Sequence, residues 1–109
     1  MPMCIVNTNR KSEDIPNDFE AKLAEKVASV LNKPLSAMQV VINSGARVYR
    51  KESTAPACIM QLYSIDVFDE QRNPTYTPPL LDFLKTQLRL GENRTVVHYI
   101  PAQRYMFGQ

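Results

Sequence analysis

Apolar residues occur in six short segments along this chain, and their spacing alternates between that of strands and that of helices. Residues 3–8 form a short apolar run typical of a strand. Helical spacing begins after Asn17 or Asp18, either of which can cap a helix, and Pro34 ends it because proline disfavours helical geometry in the preceding residue. Residues 38–43 then predict a second strand. The apolar face of the helix comprises Phe19, Leu23, Val27, Val30 and Leu31.

The second half of the chain repeats this order. Residues 57–63 predict a strand, residues 71–74 a loop and residues 95–100 the last strand. Between the loop and the last strand, Thr77 is the expected helix cap and Pro78 the first helical residue. The helix then carries Leu80, Leu81, Leu84 and Leu88, and Gly91 stops it. An offset of 57 residues relates position 38 to position 95, which indicates two weakly similar strand–helix–strand (βαβ) units.

Two such units predict one α+β domain over residues 1–109, with a four-stranded mixed sheet covered on one face by two helices. Residues 47–50 alternate weakly and predict an additional short edge strand. Because two helices can cover only one face of the sheet, its apolar residues on the other face predict association with further copies of the chain.

Composition excludes several classes of function. The 109 residues carry a formal net charge of +2, without the basic stripe that phosphate binding requires, so no nucleic-acid partner is expected. No apolar run reaches the roughly 20 residues of a membrane span, and no secretory signal is visible. One histidine and two distant cysteines, Cys4 and Cys58, predict neither a metal site nor a disulfide framework. Three glycines cannot form a phosphate-cradling loop, and no cofactor is expected.

Pro2 is the strongest candidate for chemistry in the chain. Trimming of Met1, which a small second residue usually permits, would leave Pro2 with a secondary amine at the terminus. An α-amino group titrates at about 7.7 to 8.0, so burial or a nearby cation would leave it mostly neutral and able to accept a proton. The alternative is that a Met-Pro start has no catalytic meaning.

Several short motifs together resemble the macrophage migration inhibitory factor family, which belongs to the tautomerase superfamily and includes D-dopachrome tautomerase. These are the start Met-Pro-Met-Cys-Ile-Val-Asn-Thr-Asn, Asn-Lys-Pro at residues 32–34, Ser-Ile at 64–65 and Asn-Arg at 93–94. The resemblance implies the paired βαβ fold and a homotrimer with active sites between subunits.

The implied activity is cofactor-free keto-enol tautomerisation of a small aromatic α-keto acid or a dopachrome-like substrate. By the resemblance, Pro2 is the base, Lys33 anchors the substrate carboxylate, Ile65 with Ser64 supplies an apolar wall and a backbone donor, and Met3 also lines the pocket. The alternative for Lys33 is that it contacts only the last carbonyls of the preceding helix.

The chain departs from the family pattern at the positions that, by the resemblance, reach into the pocket from a neighbouring subunit. Val96 and His98 stand where the family usually has a tyrosine and an asparagine, and their spacing puts them on one strand face. His98 can donate a hydrogen bond or titrate, or else it is an ordinary strand residue. Met106 and Phe107 are expected to replace part of the apolar wall that the family tail provides.

Two functions of different class therefore follow. One is an isomerase of the phenylpyruvate or dopachrome type, with activity reduced by the altered pocket. The other is a cytokine-like signalling protein that binds a cell-surface receptor with weak or no catalysis. The resemblance also implies a protein that is cytoplasmic and secreted without a signal peptide. The single cysteine of the stretch 56–60 argues against a thiol–disulfide oxidoreductase.

Overall fold

A computed structural model describes all 109 residues, and it contains two successive βαβ units. The first unit consists of β1 (Met3–Thr8), α1 (Phe19–Leu31) and β2 (Gln39–Asn43). The second consists of β3 (Cys58–Ile65), α2 (Asn73–Leu88) and β4 (Thr95–Ala102). Short 3-10 turns cover Ser12–Asp14, Leu35–Ala37 and Arg104–Met106. The predicted α+β fold is confirmed.

All four strands belong to one sheet in the order β2-β1-β3-β4. The two strands of each unit are parallel, and the two units meet through the antiparallel pair β1 and β3. Residue pairs such as Ile5 with Val41 and Ile5 with Gln61 fix the register at the centre of the sheet. The predicted repeat is therefore real in three dimensions, since each unit contributes one central and one edge strand.

The side chains of β1 and β3 alternate between a buried face and a half-buried face, as the period of two of a strand requires. Cys4, Val6, Met60 and Leu62 point to the buried face and join the apolar residues of both helices in one core. The opposite face, here called the open face, carries no helix. Its apolar members are Met3, Ile5, Val41, Ile59, Tyr63, Ile65, Val96 and Ile100.

Helix α2 begins five residues earlier than the sequence pattern indicates, and Pro78 and Pro79 lie inside it. Thr77 is therefore not its cap. The earlier start is stabilised by Asp69, whose Oδ1 accepts the Arg72 amide at 2.6 Å. Tyr76 of the added turn is buried, and its hydroxyl donates to the Val67 carbonyl at 2.7 Å. These contacts, together with Pro74 in the first turn, start the helix before Pro78 and Pro79.

The edge strand expected at residues 47–50 is wrong. Only an isolated bridge between Arg50 and Ser53 occurs there. Lys51 and Glu52 have φ angles of 52° and 59°, so the backbone turns back on itself instead of extending along the sheet. The Arg94 side chain, 8% exposed, donates to the carbonyls of Arg50 and Ser53 and of the residues at positions 55 and 56, and thereby holds the loop in a non-strand conformation.

Neither helix has the length and apolar character needed to cross a lipid bilayer. Acidic, histidine and cysteine side chains do not gather in any group of three or more that would hold a metal ion.

Candidate active site

Pro2 lies at the start of β1, where its ring is fully buried. Its carbonyl oxygen accepts the Gln39 amide at 3.1 Å, which extends the parallel pairing of β1 with β2 to this residue. Continuing the antiparallel register of β1 and β3 places Pro2 opposite Ser64 and Met1 opposite Ile65. The sheet therefore holds the chain terminus against the end of β3.

Lys33 is directed to the same point by the end of α1. Asn32 adopts a left-handed conformation with φ 54°, and the Lys33 amide donates back to the Ala28 carbonyl at 2.9 Å, which turns the chain away from the helix axis. The Lys33 ammonium then donates to the Ile65 carbonyl at 3.4 Å. This contact differs from the alternative in which Lys33 only binds the last carbonyls of its own helix.

A cavity of about 300 Å³ opens beside the terminus. Met1 and Ile65 line it from the sheet, and Arg104, Phe107 and Gln109 line it from the segment after β4. Ligand pockets of small molecules begin at about this volume. Its walls combine apolar side chains with a cation and an amide, and no acidic residue is among them.

The terminal amine in this structure belongs to Met1, and its surroundings disfavour the protonated form. Burial makes the largest contribution, and the Lys33 ammonium and the Arg104 guanidinium add to it, so the pKa of the amine is lowered from its ordinary value of 8.0. Pro2 is the next residue along the chain, so we expect the same two cations to act on its amine after removal of Met1.

Of the other residues expected in the pocket, Phe107 lines the cavity, and its neighbour Met106 is 59% exposed and does not. Met3 is half-buried on the open face. Ser64 is fully buried on the helix-covered face, and its hydroxyl has no hydrogen-bond partner. The side chain of Ser64 therefore points into the core, whereas its backbone lies at the end of β3 beside the terminus.

Val96 and His98 do share the open face, as their spacing predicts, but they lie away from Pro2 of their own chain. Val96 pairs with Ile59, which in turn pairs with Asn7, five residues along β1 from Pro2 or about 17 Å. His98 is exposed and pairs with Gln61, two residues nearer to Pro2 along the sheet. A single chain does not bring these two side chains to its own cavity.

The two cysteines are both fully buried on the helix-covered face of the sheet. Burial raises the pKa of the Cys4 and Cys58 thiols to about 12, which keeps them protonated at neutral pH. Protonated, buried thiols are poor nucleophiles. Neither cysteine belongs to the cavity beside the terminus.

Sequence reasoning missed Arg104 and Gln109 as cavity residues. Both lie about forty residues beyond Ile65, and no local motif connects them to it. Their position depends on the pairing of Ile65 with Ala102, which sets where the chain after β4 begins. The sequence could have indicated these two residues only if the pairing of β3 with β4 had been extended to the end of β4, next to Ile65.

Comparison with known proteins agrees with this architecture. The whole chain, residues 1–109, matches the family described as Macrophage migration inhibitory factor (MIF). A macrophage migration inhibitory factor homolog of Trichinella spiralis is 34% identical over 100 residues, which is 92% of this chain and 88% of that protein. D-dopachrome decarboxylase of Gallus gallus is 31% identical over 110 residues, covering 100% of this chain and 93% of its own.

Among solved structures, the macrophage migration inhibitory factor of Trichinella spiralis superposes with a TM-score of 0.93 at 32% identity, over 98% of this chain and 95% of that one. The fold and the site thus define a class of paired-βαβ proteins. In this class a proline occupies the second position and a lysine lies beside the chain terminus. The chain belongs to the macrophage migration inhibitory factor family.

Proposed function

We propose that this protein is a cofactor-free keto-enol tautomerase of the phenylpyruvate or dopachrome type, with the amine of Pro2 as its base once Met1 is removed. The observation that supports it is that the buried Pro2 ring and the Lys33 ammonium both lie at the end of β3, beside a cavity lined by Met1 and Ile65. Names given to relatives, such as D-dopachrome decarboxylase of Gallus gallus, are consistent with chemistry on small carbonyl compounds.

Each residue at the site has a separate role in the proposed reaction. Lys33 binds the carboxylate of an α-keto acid through a charge-assisted hydrogen bond, and Phe107 and Ile65 pack against its apolar part. The neutral Pro2 nitrogen removes a proton from the carbon next to the ketone, the C–H electron pair forms the C=C bond, and the carbonyl π electrons move to oxygen. The Pro2 ammonium then returns that proton to the enolate oxygen. The product is the enol, and the amine is neutral again.

We also propose that the working form is a homotrimer. The open face carries at least eight apolar side chains and no covering helix, and Val41 on it is 50% exposed. Covering this face with a further copy of the chain removes apolar surface from water. In such an assembly, Val96 and His98 of a neighbouring subunit could lie at the cavity. Within one chain these two residues lie away from it.

Two measurements test these proposals. Steady-state rates of phenylpyruvate tautomerisation are compared for the Met1-trimmed protein and its Pro2→Gly variant, with mass spectrometry confirming the trimmed terminus. We expect loss of at least about a hundredfold in kcat, since general base catalysis contributes roughly that much or more. Equal rates would exclude Pro2 as the base. Sedimentation equilibrium should give three times the chain mass of 12.4 kDa, and a monomer mass would exclude the trimer.

Signalling through a cell-surface receptor, with export that needs no signal peptide, stays a prediction that rests on the family resemblance alone. A receptor-activation assay with the catalytically inactive Pro2→Gly protein would separate this role from catalysis.

A further inference from the structure

The cavity beside the terminus contains a second cation, Arg104, for which neither the proposed reaction nor the motifs of the sequence provide a role. Arg104 is exposed, lines the cavity together with Ile65 and Phe107, and makes no ion pair and no side-chain hydrogen bond. No acidic residue lines this cavity, so the guanidinium keeps its donors free for an anion.

The position of Arg104 is set by the sheet. Ala102, the last residue of β4, pairs with Ile65 at the end of β3, and the chain then enters the short turn Arg104–Met106. Two backbone contacts close this turn: the Met106 amide donates to the Gln103 carbonyl at 2.9 Å, and the Phe107 amide donates to the Arg104 carbonyl at 3.2 Å. Arg104 is therefore carried by an ordered segment next to Ile65.

Lys33 approaches Ile65 from the end of α1, through its 3.4 Å contact with the Ile65 carbonyl. Lys33 thus contacts Ile65, a wall residue of the cavity, from the side of α1, and Arg104 lines the cavity from the segment after β4. Both cations also act electrostatically on the terminal amine. An α-keto monocarboxylate neutralises only one of the two. The other would stay unpaired in the complex, although a guanidinium is well suited to bidentate binding of a second carboxylate.

We propose that Lys33 and Arg104 together select a dianionic substrate, an α-keto dicarboxylate, in preference to an aromatic α-keto monocarboxylate. Lys33 binds the carboxylate next to the ketone, and Arg104 binds the distal carboxylate. This inference rests on the proposed tautomerase function for its reaction, but the pairing of two cations with two carboxylates is a binding property that exists with or without turnover.

The first experiment measures kcat/KM for enolisation of 2-oxoglutarate, oxaloacetate and phenylpyruvate by the Met1-trimmed protein and by Arg104→Gln. In Arg104→Gln, loss of one charge-assisted hydrogen bond should lower kcat/KM for the two dicarboxylates by about 10- to 100-fold. The value for phenylpyruvate should change by less than about threefold, because its ring has no charge to pair with Arg104. Arg47→Gln, which removes the same charge from an exposed position outside this cavity, should leave all three values unchanged.

The second experiment measures binding of succinate and butyrate by calorimetry, since these acids have equal carbon number and differ in the second carboxylate. Succinate should bind wild type at least about tenfold more tightly than butyrate, and Arg104→Gln should remove this difference. If no substrate is turned over but succinate is still preferred through Arg104, the proposed reaction fails and the dianion site stands. Two results would overturn the dianion site. One is an equal fall in kcat/KM of Arg104→Gln for the dicarboxylates and for phenylpyruvate, and the other is equal affinity of the wild type for succinate and butyrate.

Discussion

The Lys33 ammonium is expected to have two effects, on the binding of the substrate carboxylate and on the pKa of the terminal amine. Replacing Lys33 with glutamine allows the two effects to be measured separately. The side chain makes one long hydrogen bond, 3.4 Å to the Ile65 carbonyl, and no ion pair with an acidic residue. Its removal should therefore cost at most about 1 kcal/mol of folding free energy. The main consequences should be seen in substrate binding and in the titration of the terminal amine.

The binding effect follows from the loss of a charge-assisted hydrogen bond to the substrate carboxylate. Such bonds contribute about 1.5–3 kcal/mol, which corresponds to a fall of roughly 10- to 150-fold in kcat/KM. Because ground state and transition state carry the same carboxylate, we expect most of this loss as a rise in KM. Lys22→Gln removes the same charge from an exposed position on α1 and is the matched control.

The titration effect has a defined sign. The reaction requires the neutral amine, so kcat/KM falls as the pH drops below the pKa of that amine. The Lys33 ammonium is one of the causes that lower the pKa of the terminal amine below 8.0, after burial. Its removal should raise the pKa and move the acid limb of the pH profile to higher pH, whereas the profile of Lys22→Gln should coincide with that of wild type.

The assay is the initial rate of phenylpyruvate tautomerisation from pH 5 to pH 9 with the Met1-trimmed protein. A KM and an acid limb that both stay at their wild-type values in Lys33→Gln would refute the placement of Lys33 as substrate anchor. A raised KM with an unmoved limb would retain the anchor but show that Lys33 does not act on the amine.

Three further predictions concern other parts of the molecule. Val96→Tyr should raise kcat/KM for phenylpyruvate several-fold if a neighbouring β4 supplies an aromatic wall to the cavity; an unchanged value would mean that the pocket is built differently. Burial raises the pKa of Cys4 and Cys58 to about 12, so a thiol reagent at pH 8 should label neither in the native protein and both in denaturant, and rapid native labelling would contradict their burial. Arg94→Ala leaves backbone carbonyls of the loop after β2 without their donor and should lower the free energy of unfolding by roughly 2–4 kcal/mol in urea titrations, against less than about 0.5 kcal/mol for Arg47→Ala.

Local spacing was sufficient to predict the order and type of the four strands and two helices of the sheet and its cover. Strand and helix periods are properties of neighbouring residues, so β1, α1 and β2 could be recognised from the apolar runs alone, and the pairing of Lys33 with Pro2 followed from the family motifs. The prediction was wrong at two places. Asp69 and Tyr76, close in sequence, stabilise an earlier start of α2 that the leucine spacing does not reveal, and Arg94, distant in sequence, prevents residues 47–50 from forming a strand.

The α+β class, the two βαβ units and the candidate residues Pro2 and Lys33 could all be inferred from the amino-acid sequence. The set of distant residues that line the cavity at the chain terminus could be found only from the folded chain. The register of β3 with β4 brings Arg104 beside Ile65, and it keeps Val96 at the far end of the open face. Strand register is set by pairing between residues tens of positions apart, and no local window of the sequence contains this information.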